Sequence, residues 1–191
     1  MKNDNATVLE AVKERLDEIK GLVSRMEEEA PENLMRLIQK AGAVFITGKG
    51  RSGYIASCLA MRLMQMGFTV HVPGEATCRR IGPEDLMIAV SCSGSTVTTV
   101  ELAKISKNSN ADVVAVTANP DSALAATSDH IVNVPVHGED VKESHRCVLG
   151  PYNNTLFEQT LLLYFDAVVH YMLKHEGIPP GRLQQMHTNL E

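Results

Sequence analysis

The stretch ITGKGRSG, Ile46 to Gly53, closes a short apolar run and sets glycines at 48, 50 and 53, the spacing G-x-G-x-x-G. A strand that enters a glycine-rich turn and leaves it as a helix begins a parallel α/β sheet, and the turn either carries a dinucleotide or holds a smaller anion.

Outward from that turn, brief β-rich runs alternate with helical segments. AVFITG ends at Gly48, FTVHV at Val72, DLMIAVS at Ser91, DVVAVTA at Ala118 and HIVNVPV at Val136. Helices are predicted over 52–66, 96–107 and, briefly, 122–126. This alternation specifies a five-stranded parallel sheet covered on both faces, a three-layer α/β/α fold. Upstream, Leu9, Val12, Leu16, Ile19, Val23 and Met26 recur at alternating spacings of three and four, which predicts an amphipathic helix over 6–29. Its narrow seam packs on this domain or on another subunit. Pro31 opens a second short helix to about Lys40. Downstream, 155–175 reads as a long apolar helix, and Gly177-Ile178-Pro179-Pro180-Gly181 breaks it before a short tail. The expected organisation is one domain over 1–191: N-terminal helices (1–41), the α/β core (42–175) and a C-terminal tail (176–191).

Composition narrows the partners. The 191 residues are 44% apolar, enough for one well-cored domain. A net charge of −5 arises from 18 basic and 23 acidic residues with no Lys/Arg run, so a nucleic-acid partner is not expected. There is no N-terminal charged-then-apolar signal, and no apolar run reaches the roughly 18 to 20 residues that span a bilayer. A soluble, cytoplasmic protein with no membrane partner is the expectation. Cys58, Cys78, Cys92 and Cys147 lack C-x-x-C spacing, which points to reduced thiols rather than a zinc site. The consecutive carboxylates within Glu27–Glu32 point apart and read as a solvated helix end, so no metal is expected there either. Met61, Met64 and Met66 read as core or interface residues.

A nicotinamide site needs an acid at the end of the second strand to bond the ribose. Here that strand ends in HVPGE, and Glu75 lies beyond Pro73 and Gly74. The phosphate loop of nucleotide hydrolases is absent too, since Lys49 sits between the first two glycines. A nicotinamide oxidoreductase is therefore disfavoured. What remains is a turn whose helix presents N–H groups to an anion. A second turn, SCSGST, Ser91 to Thr96, again follows a strand and precedes a helix. Capping that helix takes one hydroxyl, and this turn carries four. Ser91, Ser93, Ser95 and Thr96 with the flexible Gly94 suit a phosphate monoester, whereas nothing visible supplies an adenine slot.

GKGRSG and SCSGST resemble the two signature loops of the sugar isomerase, or SIS, domain. More narrowly, RSGYIASCLAMRLMQMGFTVHVPGEAT, NTLFEQTLLLYFDAVV and the closing HTNLE resemble the 6-phospho-3-hexuloisomerases, over nearly the whole chain. The resemblance implies a flavodoxin-like sheet, a sugar-phosphate substrate, and homo-oligomers, dimers or tetramers, that share their active sites; the isomerisation itself needs no metal or redox cofactor, and none is expected. It also implies phosphate binding by Ser52, Ser91, Ser93 and Thr96, with Arg51 a candidate sugar or phosphate contact. Two positions depart from the pattern. Ser95 stands where the second loop usually has glutamate, and Lys49 stands where the first usually has a small residue; both are candidate substrate contacts.

Moving a carbonyl from carbon 3 to carbon 2 of a hexulose 6-phosphate requires a base for the carbon-2 proton and a cis-enediolate intermediate. Glu158, between Leu156, Phe157 and the run Leu161–Leu163, is a carboxylate in an apolar setting. Its residues alone fit equally a surface glutamate or a capping partner of Thr155; the resemblance assigns the base. His187, in the tail, is the second catalytic candidate, a proton shuttle that the resemblance singles out and that a flexible tail could bring to a neighbouring subunit. His145 and Arg146 lie in an irregular segment with no assigned chemistry. Arabinose 5-phosphate and phosphoheptose isomerases, and non-catalytic sugar-phosphate-binding SIS modules, stay open as alternatives.

Overall fold

The sheet consists of β1 (Val44–Gly48), β2 (Val70–His71), β3 (Leu86–Val90), β4 (Asp112–Thr117) and β5 (His130–Asn133), all parallel, in the order β2-β1-β3-β4-β5. The computed structural model describes residues 7–136, 151–179 and 181–190, with the backbone alone over 151–154. His145, Arg146 and Cys147 lie outside the described residues. The three central strands are buried on both faces, and so they read as unbroken apolar runs rather than alternating ones.

The helices are α1 (Val8–Val23), α2 (Ala30–Lys40), α3 (Gly50–Met66), α4 (Val97–Asn108), α5 (Ala123–Thr127), α6 (Pro151–His175) and α7 (Arg182–Gln185). Strand periodicity splits the core in two. Val44, Ile46, Leu86, Ile88, Val114 and Val116 pack under α2, α3 and α6, while Phe45, Met87, Ala89, Val113 and Ala115 pack under α4 and α5. The three-layer parallel fold expected from the sequence is the one observed.

The N-terminal helix is shorter than predicted. It starts in a capping box between Thr7 and Glu10 and stops at Val23, where Ser24 caps it and its hydroxyl bonds the Gly21 carbonyl at 3.0 Å. Met26 therefore packs on the core from a turn, not from the helical seam. Of the seam only Ile19 is buried, and with Leu22, which lies outside that spacing, it packs against Leu156 of α6; Leu9, Val12, Leu16 and Val23 are exposed. At the other end, α6 begins four residues earlier than expected, with Pro151 in the first turn, where its missing N–H costs nothing.

No helix connects β2 to β3. The segment 72–85 instead folds back over the sheet: Ile81 enters the core, and the Arg79 guanidinium lies 5.2 Å above the Phe45 ring. Two bonds of 2.7 and 2.8 Å tie Arg79 to Asp85, whose carboxylate also accepts the Gly82 N–H at 2.8 Å. The Arg79 side chain, helped by that N–H, holds the Asp85 carboxyl below its ordinary value of 3.8. A depressed carboxyl stabilises the fold above its unfolded-state value, and this contribution disappears as pH falls through the folded one. Asp85→Asn is thus expected to lose about 2 kcal/mol at pH 7. In urea unfolding, its deficit against the unaltered protein should shrink as pH drops below the carboxylate range; a deficit constant down to pH 3 would show that the pairing does not stabilise.

Candidate active site

Strand order reverses between β1 and β3, and the turns after these two strands meet at their carboxyl ends, where open parallel sheets place ligands. In the first turn Gly50 has φ +59°, and a Cβ on Gly53 would lie 2.8 Å from the Gly48 carbonyl oxygen. The G-x-G-x-x-G spacing is therefore a steric requirement of the turn and needs no dinucleotide to explain it. In the second, Gly94 has φ +64°, and a Cβ there would meet the Ser122 hydroxyl at 1.9 Å. This turn is held from below by Thr117, whose buried hydroxyl donates to the Cys92 carbonyl at 3.1 Å.

Neither α3 nor α4 has a side-chain cap, so the first-turn N–H groups of both face outward at the positive ends of their dipoles. The second-loop hydroxyls bond one another instead of the helix: Ser91 to Thr96 at 3.0 Å, and Ser93 to Ser95 at 2.9 Å. Capping does not explain them.

Both turns open into one cavity of about 420 Å³. Lys49, Arg51 and Ser52 line one side, and Ser91, Ser93 and Thr96 the other. Its third wall is α6, through Thr155 and Glu158, which are three residues apart and so share a helix face. Glu158 is 5% exposed, and its carboxylate accepts a hydrogen bond from Nε of Arg51. That ion pair offsets the cost of burying the charge. Arg51 spends one N–H on it, and its side chain is otherwise largely exposed.

Two sequence candidates lie outside this lining. Ser95 is exposed and reaches the cavity only through its bond to Ser93. His187 is exposed too, its Nδ1 lying 3.2 Å from the Thr188 carbonyl oxygen. The tail that carries it is fastened at the far end of α3, where Arg182 packs on Gly67. Thr155, Cys92 and Val90 also line the cavity and were not foreseen; the helical spacing to Glu158 and the position in or just before the second loop were the available signals. A second cavity of about 380 Å³ opens at the opposite end of the sheet, where Glu84, Asp85 and Asp112 are among the lining residues and Asp85 is already committed to Arg79. Among the described residues no group of three or more His, Cys, Asp or Glu side chains could hold a metal ion, and no helix is long and apolar enough to cross a membrane.

The two hydroxyl-lined turns and the buried carboxylate share one cavity, and the sequence profile of the SIS domain matches residues 37–160. The chain belongs to the SIS domain family. Within it, a 3-hexulose-6-phosphate isomerase of Mycobacterium gastri is 37% identical, covering 92% of this chain and 87% of its own. One of Bacillus subtilis is 34% identical over 95% and 98%. The crystal structure of a hypothetical protein of Methanococcus jannaschii, described as inferring a molecular function of 3-hexulose-6-phosphate isomerase, superimposes on this SIS domain with a TM-score of 0.76. It is 31% identical and covers 96% of this chain and 98% of its own.

Proposed function

We propose that this SIS domain is a phosphosugar isomerase that interconverts 3-hexulose 6-phosphate and fructose 6-phosphate through a cis-enediolate. The observation that carries this reading is the sharing of one cavity by two uncapped, hydroxyl-rich helix N-termini and one buried carboxylate. Ser52, Ser91, Ser93 and Thr96 hold the phosphate together with first-turn amides of α3 and α4. Glu158 takes the carbon-2 proton, the carbon–hydrogen pair becomes the carbon 2–carbon 3 double bond, and the carbonyl oxygen on carbon 3 gains the negative charge. After a proton passes between the two oxygens, the carboxylic acid returns its proton to carbon 3. Arg51 contacts the sugar as well as Glu158, and Lys49 adds positive charge at the mouth of the cavity. Ser95 adjusts the Ser93 hydroxyl. No cofactor enters these steps.

His187 serves as the proton shuttle from a neighbouring subunit of a cytoplasmic homodimer or homotetramer. Support for assembly comes from α1, where Val8, Val12 and Leu16 join Leu163 of α6 around an apolar groove of about 470 Å³. A further copy of the chain is its proposed occupant.

A panel of pentulose, hexulose and heptulose phosphates, followed by NMR in deuterated water, tests the reading. Interconversion of the hexulose phosphates with deuterium entering the carbon-bound position is expected; turnover confined to another sugar phosphate, or none, would sink it. Ser93→Ala is expected to raise KM for the sugar phosphate roughly ten- to a hundredfold, since a hydrogen bond to a charged group contributes about 1.5 to 3 kcal/mol. An unchanged KM would move the phosphate elsewhere.

A further inference from the structure

Arg51 belongs to two parts of the site at once. Its backbone lies in the first turn of α3, between Gly50 and Ser52, while its side chain reaches α6 and donates from Nε to Oε2 of Glu158. The two ends of that bond differ: the Glu158 side chain is buried, whereas the Arg51 side chain is 65% exposed. Among the described residues Glu158 is the one hydrogen-bond partner of Arg51, so the rest of its N–H groups remain for whatever enters the cavity. Helices α3 and α6 contribute to a single core cluster, which holds them fast against each other. Movement between the phosphate turn and the carboxylate is left to the side chains.

We propose that Arg51 is a positioning residue through which the phosphate end of the substrate brings the base into line. A dianion seated between the uncapped ends of α3 and α4 attracts the exposed guanidinium and takes N–H groups from its Nη atoms. The fork is planar and rigid, so a guanidinium held at its Nη atoms aims its Nε–H at Oε2 of Glu158. That leaves Oε1 turned to the carbon-bound proton. Binding energy from the phosphate, which is remote from the reacting carbons, then orients the base, and its effect appears in turnover more than in affinity. An ion pair that only offset the burial of Glu158 would not respond to phosphate at all. The inference rests on the isomerase reading, with Glu158 as the base.

The test separates the phosphate from the sugar. Fructose, which lacks the phosphate, is incubated with the protein in deuterated water, and exchange of its carbon-3 proton is followed by NMR with and without inorganic phosphite as the detached dianion. Phosphite should raise exchange by the unaltered protein about tenfold or more, the scale of one charge-assisted bond. In Arg51→Gln phosphite should still bind, as its phosphorus NMR signal reports, yet at saturation should raise exchange less than about twofold. Arg51→Lys keeps a charge beside Glu158 and so guards against a fold lost to an unpaired carboxylate; its ammonium has no fork, and most of the activation should vanish there too. Ser93→Ala should need more phosphite to reach the full factor. Full activation in either Arg51 variant, or loss of phosphite binding in Arg51→Gln, would overturn the proposal. An unaltered protein that converts hexulose 6-phosphates but ignores phosphite would sink this inference alone. One that converts no hexulose 6-phosphate would sink the isomerase reading beneath it.

Discussion

Glu158→Gln is expected to lower turnover by about two to four orders of magnitude while leaving KM for the sugar phosphate near its original value. Glutamine keeps the shape and can still accept the hydrogen bond from Nε of Arg51, so the wall that α6 gives the cavity should survive. What it lacks is a basic oxygen for the carbon-2 proton. Exchange of that proton with deuterated solvent must disappear together with isomerisation, because both pass through the enediolate. Near-normal turnover would remove Glu158 from the mechanism. Retained exchange without turnover would reassign it to the later proton return.

The second large effect is a recovery. Glu158→Gln and His187→Ala should each be nearly inactive alone. Once subunits exchange, an equal mixture of dimers holds about half hybrids, each with one site that draws an intact Glu158 from one chain and an intact His187 from the other. About a quarter of the sites should then work. Native mass spectrometry verifies the exchange. Full exchange without returning activity would mean that His187 does not act on a neighbour's substrate.

Much of the fold was legible because burial on both faces leaves a plain mark: Val113 to Val116 and Leu86 to Val90 could be little else than interior strands. Helix ends were less legible. The turn at Ser24 interrupts a hydrophobic spacing that continues to Met26, since Met26 finds the core by another route. The two loops could be located from their glycines and hydroxyls, but not whether those hydroxyls capped a helix; the Ser91–Thr96 and Ser93–Ser95 bonds settle that. The Arg51–Glu158 pair was invisible, because its partners stand 107 positions apart on helices that only the tertiary fold brings together. Where the tail lies depends on Arg182 packing over Gly67, a contact with no sequence signature.

The mutual bonding of the four loop hydroxyls makes ligand capture in part an exchange reaction. In each pair one hydroxyl hydrogen is engaged with the neighbouring oxygen, so a phosphate oxygen that takes it breaks one bond to make another, whereas the second hydroxyl of the pair and the uncapped first-turn amides are donors that break no internal bond. Capture is therefore part exchange and part new bonding, and the two internal bonds that re-form as the phosphate leaves ease the release of product.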